Sequence, residues 1–165
     1  LPGHGRARAD SDGEVARVGA DLAALGGDDF AAFRPLADLP LGMTAHVAYD
    51  ALGEGPATTS PAAIRAIREE IGFAGLLMTD DLLMSALPGD MAARARASLA
   101  AGCDMLLLCN AGRAEQEAAL AETPRLAGPA LARAEAALAL RPQAEALDLA
   151  AADARHAALV EALDA

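Results

Sequence analysis

The sequence predicts an α/β fold built on a parallel sheet. Residues 75–79 (GLLMT) and 103–110 (CDMLLLCN) are short runs that are apolar on both faces. A strand buried beneath helices on each side has that pattern. Each run follows a helical segment that closes on a glycine, Gly72 in the first case and Gly102 in the second. Candidate strands also end in polar groups, namely His46, Asp80 with Asp81, and Asn110. In parallel α/β folds the carboxyl ends of strands are where ligands bind.

The elements follow in order. Residues 1–13, rich in Gly, Arg and Asp, read as a loop. A helix is expected over 14–25, stopped by Gly26 and Gly27, and a shorter one over 28–37. After Pro40 a strand is expected, best supported over 41–46. GEGPATTS is a loop by composition. Ser60 is placed to cap a helix whose first position is Pro61, and Ile64, Ile67 and Ile71 form one apolar stripe along it. The strand over 75–79 comes next, then a helix over 90–101 and the second buried strand over 103–110. Helices are expected over 114–122, 129–140 and 141–165, the alanine-rich end docked against the body. The alternation argues for parallel pairing in a single domain spanning 1–165.

Composition narrows the function. With 165 residues and 54% hydrophobic content the chain can bury a core. Its net charge is −11, and every basic residue is arginine. That acidity argues against nucleic acid and membrane surfaces as partners. Aromatic residues, at 2%, leave few faces for stacking bases or a long polysaccharide. Cys103 and Cys109 lie on one apparent strand, about 20 Å apart if extended, beyond disulfide reach. Buried free thiols in a reducing, cytoplasmic compartment are the expectation. No stretch has the form of a signal segment. The chain opens on Leu1 inside a Pro-Gly-His-Gly turn, which is read as a piece of a longer protein.

Asp80 and Asp81 hold the main chemical interest. An aspartate after a strand commonly caps the next helix, and for either residue alone that reading competes evenly with a site. His46 alone reads more readily as a satisfied buried histidine, and Asn110 as a turn residue. His4, His46 and His156 lack metal-ligand spacing with the cysteines, and there is no phosphate-cradling Gly-rich loop and no Gly-x-Ser-x-Gly elbow. Neither a metal nor a cofactor is therefore expected. Arg6 and Arg8 read as solvated loop residues.

IREEIGFAGLLMTDDLLMSAL resembles the nucleophile segment of glycoside hydrolase family 3. LPGHGRARADSD is similar to a loop of that family's bacterial β-N-acetylglucosaminidase branch, MTAHVAYD to its Met-Pro-Ala-His segment, and AGCDMLLLCN to the strand after the nucleophile. The four motifs occur in family order. The resemblance implies a partial (β/α)8 TIM barrel, roughly strands 6 to 8 with a helix-rich C-terminus, in the C-terminal part of the catalytic barrel. It implies Asp80 as nucleophile, Asp81 beside it, Asp10 as the residue orienting the acid/base, and His4, His46, Asp81 and Asn110 around the sugar. The implied reaction is retaining hydrolysis of terminal β-linked N-acetylglucosamine from muropeptide-type sugars in peptidoglycan recycling.

One position departs from the motif. Where the branch carries its acid/base histidine, this chain has Asp12. Three accounts stand. Asp12 serves as the acid, its pKa raised by a neighbouring carboxylate; His4 substitutes; or acid catalysis is lost, and the chain is a truncated or inactive homologue that binds sugar or takes part in assembly. A half-barrel would also leave open strand edges and an uncovered apolar interior, so self-association is expected.

Overall fold

The computed structural model describes residues 1–8, 14–143 and 146–163. Asp10 and Asp12 lie outside these residues. The described elements run β1 (Ala16–Val18), α1 (Leu22–Ala24), a π-helical turn (Leu25–Asp29), α2 (Phe30–Phe33), a 3₁₀ turn (Arg34–Leu36), β2 (Leu41–Met43) and β3 (Val47–Tyr49). Two 3₁₀ turns (Asp50–Leu52 and Ala57–Thr59) lead to α3 (Pro61–Glu69), β4 (Leu76–Asp81), α4 (Met91–Ala101), β5 (Met105–Leu107), α5 (Arg113–Ala121), α6 (Gly128–Ala139) and α7 (Leu149–Leu163).

All three strand pairings are parallel, as the alternation of elements requires. One sheet has the order β2-β4-β5 and the other pairs β1 with β3. Local signals set the best-formed unit. Ser60 Oγ accepts from the Ala63 amide at 3.3 Å, Pro61 opens α3, and Gly72 turns the chain at φ +82°. Ile64, Ile67 and Ile71 are buried on one face of that unit. Burying Ile67 fully is worth about 1.5–3 kcal/mol. The main core gathers these isoleucines with Leu77, Phe30, Leu25, Val47 and Tyr49, while a smaller cluster of Leu82, Leu87, Met91, Ala95 and Ala119 lies under α4 and α5. Gly75 lets the chain enter β4, because a Cβ there would sit 2.4 Å from the Leu39 carbonyl oxygen.

Several expectations are corrected. The segment 14–25 is not one helix. Ala16–Val18 is a strand because Ala16 and Val18 pack into the core while pairing with Val47 and Tyr49, a long-range gain that local helix preference does not oppose strongly. Gly26 and Gly27 do not stop a helix but lie inside the π-helical turn, where the Arg34 guanidinium donates to the Gly26 carbonyl at 3.0 Å. The single strand expected after Pro40, over LGMTAHVAY, is two shorter strands, β2 and β3, in different sheets.

β5 is half-exposed rather than buried, because it is an edge strand, with Met105 42% exposed. Cys103 is buried, its thiol pushed up to about 12 by burial, whereas Cys109 is exposed. The last helix is confined to Leu149–Leu163 and buries no residue, so the expected docking of 141–165 does not occur. No helix among the described residues is long and apolar enough to cross a membrane.

Candidate functional site

The carboxyl ends of β4 and β5 meet at Asp81, which His46, three residues beyond β2, also reaches. Strand β4 carries Asp80 and Asp81 as its last two residues. The Asp81 amide donates to Asp80 Oδ1 at 2.9 Å, and the second Asp80 oxygen accepts no hydrogen bond among the described residues. Asp81 Oδ1 accepts from the Leu83 amide at 3.1 Å and from the Cys109 amide at 3.3 Å. It therefore closes a turn and ties β4 to the end of β5. The next helix begins ten residues on and is capped by Asp90 instead, which accepts from the Ala93 amide at 2.8 Å. The helix-cap reading of Asp81 is corrected accordingly.

His46 follows β2 and is wholly buried. Its Nδ1 lies 2.7 Å from the Thr58 hydroxyl, and its Nε2 lies 2.9 Å from the Asp81 carbonyl oxygen. Burial lowers its pKa, outweighing the Asp81 carbonyl and the charges of Asp80 and Asp81. A neutral ring with both nitrogens occupied and no exposed surface cannot touch a sugar in this structure. In this structure His46 stands as a buried strut under β4.

The other two expected contacts lie at the end of β5 and in the opening turn. Asn110 is exposed just beyond β5. His4 is exposed in the opening turn, beside a cleft of about 410 Å³ shared with Arg6, Asp28, Asp29 and Phe33. Arg6 is not simply solvated. It pairs with Asp28 at 2.5 Å and Asp29 at 2.6 Å, fastening the opening loop to the helical segment behind it. The Tyr49 hydroxyl adds a hydrogen bond to the Gly3 carbonyl.

Sequence reasoning missed three polar groups that shape this region. Arg94, on α4, donates to the carbonyls of Leu82 (2.7 Å), Met84 (3.2 Å) and Gly89 (3.0 Å), and so holds the loop that follows the paired aspartates. Thr79 Oγ1 accepts from the Leu107 amide at 2.9 Å. Thr58, in the turn before α3, contacts His46. No local pattern marks any of them, since each partner is distant in sequence.

A cleft of about 490 Å³ lies elsewhere, lined by Leu99, Met105, Leu126 and Ala130 among others. It is largely apolar, and Asp80 and Asp81 do not line it. Among the described residues no group of three or more His, Cys, Asp or Glu is placed to hold a metal ion.

Fold and site together define an α/β protein in which one parallel strand, β4, ends in paired carboxylates. The chain belongs to glycosyl hydrolase family 3: the family described as the glycosyl hydrolase family 3 N-terminal domain matches residues 1–135. That match is to an N-terminal domain, which corrects the expectation of a C-terminal part. The chain is 46% identical over 115 residues to a β-hexosaminidase of Alkalilimnicola ehrlichii, covering 67% of this chain and 33% of that protein. It is 42% identical over 130 residues to a β-hexosaminidase of Pseudomonas aeruginosa, covering 76% and 39%.

Among solved structures it resembles a family 3 β-N-acetylglucosaminidase from Paenibacillus sp. FPU-7, with a TM-score of 0.75 at 27% identity, covering 90% of this chain and 32% of that one. It also resembles NagZ from Neisseria gonorrhoeae, with a TM-score of 0.69 at 31% identity, covering 87% and 45%. The chain thus spans about a third of the length of the curated relatives it matches. The family and these relatives are glycoside hydrolases.

Proposed function

We propose that this chain supplies the nucleophile segment of a retaining β-N-acetylhexosaminidase, with Asp80 as the nucleophile. The observation that carries the reading is the asymmetric Asp80 carboxylate. One oxygen is fixed by the Asp81 amide while the other accepts no hydrogen bond among the described residues, at the carboxyl end of a buried parallel strand. In the reaction that second oxygen attacks the anomeric carbon, and the bond to the leaving oxygen breaks as that oxygen takes a proton. Water then attacks the glycosyl-aspartate ester, loses a proton to a base, and frees Asp80. Of the groups placed around the sugar, His4, Asn110 and Asp81 remain candidates for hydroxyl contacts.

The substrate in this reading is terminal N-acetylglucosamine on muropeptide-type sugars, within cytoplasmic peptidoglycan recycling. We read the strands as an arc of a (β/α)8 barrel, roughly its sixth to eighth strands within the N-terminal domain, and residues 1–165 as one domain. A fluorinated N-acetylglucosaminyl donor that leaves a slow-hydrolysing ester tests the assignment. An adduct on the peptide containing Asp80, absent in Asp80→Asn, is the expected result. An adduct on another carboxylate, or none on a family-length chain carrying this segment, would sink it.

A second reading is favoured by two observations. The chain spans about a third of its relatives, and Asp12 stands where the resembling motif has histidine. In that reading the isolated chain is a non-catalytic sugar-binding or assembly fragment. Met43, Met78 and Met105 lie side by side in register across β2, β4 and β5, with Met43 39% and Met105 42% exposed. An uncovered face on a parallel sheet is unusual, and self-association through it is expected. Sedimentation at increasing concentration should show a species heavier than 16.6 kDa, and a monomer throughout would refute the idea.

A further inference from the structure

We propose that Thr58 is a positioning residue for Asp80, acting through His46 and the Asp81 peptide. The inference rests on the reading of Asp80 as nucleophile and adds what holds it in place. Four contacts form a line: Thr44 Oγ1 to Thr58 Oγ1 at 2.7 Å, Thr58 Oγ1 to His46 Nδ1 at 2.7 Å, His46 Nε2 to the Asp81 carbonyl at 2.9 Å, and the Asp81 amide to Asp80 Oδ1 at 2.9 Å.

The proton positions follow from the chemistry of the ends. A carbonyl oxygen only accepts, so His46 carries its proton on Nε2. A neutral ring then offers a bare lone pair at Nδ1, which needs a donor. The Thr58 hydroxyl supplies that proton, and Thr58 oxygen in turn accepts from the Thr44 hydroxyl. A longer contact from Thr58 to the Ala45 carbonyl, 3.3 Å, is the alternative use of the same proton. Thr44 is 1% exposed, and His46 and Thr58 are fully buried, so bulk water cannot replace any member.

Thr58 is itself held in place. It lies in the 3₁₀ turn Ala57–Thr59, directly before the Ser60 cap of α3, and its carbonyl accepts from the Cys103 thiol at 3.5 Å. A rigid turn therefore holds the hydroxyl that anchors the histidine ring. The anchored ring keeps its Nε2 proton on the Asp81 carbonyl, and the Asp81 amide fixes one oxygen of Asp80. Without the Thr58 hydroxyl the buried Nδ1 lone pair has no donor, and the ring loses the contact that aims Nε2 at the Asp81 carbonyl.

The test uses the full chain labelled with ¹⁵N in histidine and ¹³C in the aspartate carboxyl groups, with Asp80→Asn assigning the Asp80 signal. Wild type and Thr58→Ser should both show His46 in the Nε2–H form. Thr58→Val should move the His46 ring-nitrogen signals and shift the Asp80 carboxyl resonance while leaving that of Asp104 in place, whereas general unfolding would move both carboxyl signals. A wild-type ring protonated at Nδ1 overturns the proposal, as does an Asp80 signal unmoved by Thr58→Val. If the valine variant does not fold, the wild-type tautomer still decides, together with whether Thr58→Ser preserves it. None of these readouts depends on sugar labelling. Failure to trap an adduct on Asp80 would therefore remove the nucleophile reading without touching the hydrogen-bonded line.

Discussion

Replacing Asp104 by alanine is expected to destabilise the chain by about 3–5 kcal/mol, the range for stripping one partner from a buried ion pair. The Asp104 side chain is only 3% exposed and receives four hydrogen bonds. Its Oδ2 accepts from Arg68 Nη2 at 2.8 Å, the Leu77 amide at 2.9 Å and Arg133 Nε at 2.9 Å, and its Oδ1 accepts from Arg133 Nη2 at 2.5 Å. One carboxylate thus joins α3, the start of β4, the start of β5 and α6. Arg68 also donates to the carbonyls of Phe73 and Gly75, so losing its anchor loosens the entry to β4.

Both arginine side chains are less than a third exposed, and water would relieve only part of the loss. In a domain of this size the melting temperature should fall by about 10 °C. Asp104→Asn should fall less, because an amide oxygen can still accept from Leu77.

The same group makes a pH prediction. Burial works against the Asp104 charge, but hydrogen bonds from Arg133 and the Leu77 amide, with the two guanidinium charges, prevail and hold its pKa below the ordinary 3.8. As the pH falls, the unfolded chain takes up this proton before the folded one. The contribution is therefore complete above about 3.8 and is lost as the pH drops through the folded value. The gap in melting temperature between wild type and Asp104→Ala should be constant near neutrality and shrink below about pH 4. Equal stabilities at neutral pH would show that the network contributes nothing.

Asp12→His is expected to raise hydrolysis of an aryl N-acetylglucosaminide by about 10²–10⁴-fold when carried on a family-length chain, the range that a positioned general acid–base contributes. An aspartate ordinarily titrates at about 3.9 and is ionised at neutral pH, so it has no proton for the leaving oxygen. An imidazole titrating at about 6.5 serves as acid in the first step and base in the second. In the 165-residue chain alone the substitution should change nothing measurable, because the match covers only 33% of the Alkalilimnicola relative. Equal rates with and without Asp12→His at family length would show that the proton comes from elsewhere, with His4 the next residue to vary.

Local chemistry made α3 and β4 legible. A serine cap, a proline at the first helical position, three isoleucines on one stripe and a stopping glycine each act within a few residues. β1 was not legible, since three residues become a strand only through pairing with Val47–Tyr49. Nor was the division of 41–49 between two sheets. His46 looked the same in sequence whether it faced sugar or core, and Asp104 looked like any aspartate before an apolar run. Its partners Arg68 and Arg133 lie 36 and 29 residues away.

The sequence by itself determined the alternation of parallel strand and helix, and it set two carboxylates at the end of β4, because helix stops, caps and apolar runs are short-range effects. Only the tertiary structure decided which Asp80 oxygen is held, that His46 is buried, and that Asp104 gathers two arginines. Those outcomes depend on hydrogen-bond partners brought together across the sheet and on the exclusion of water, neither of which is written in any single stretch of chain.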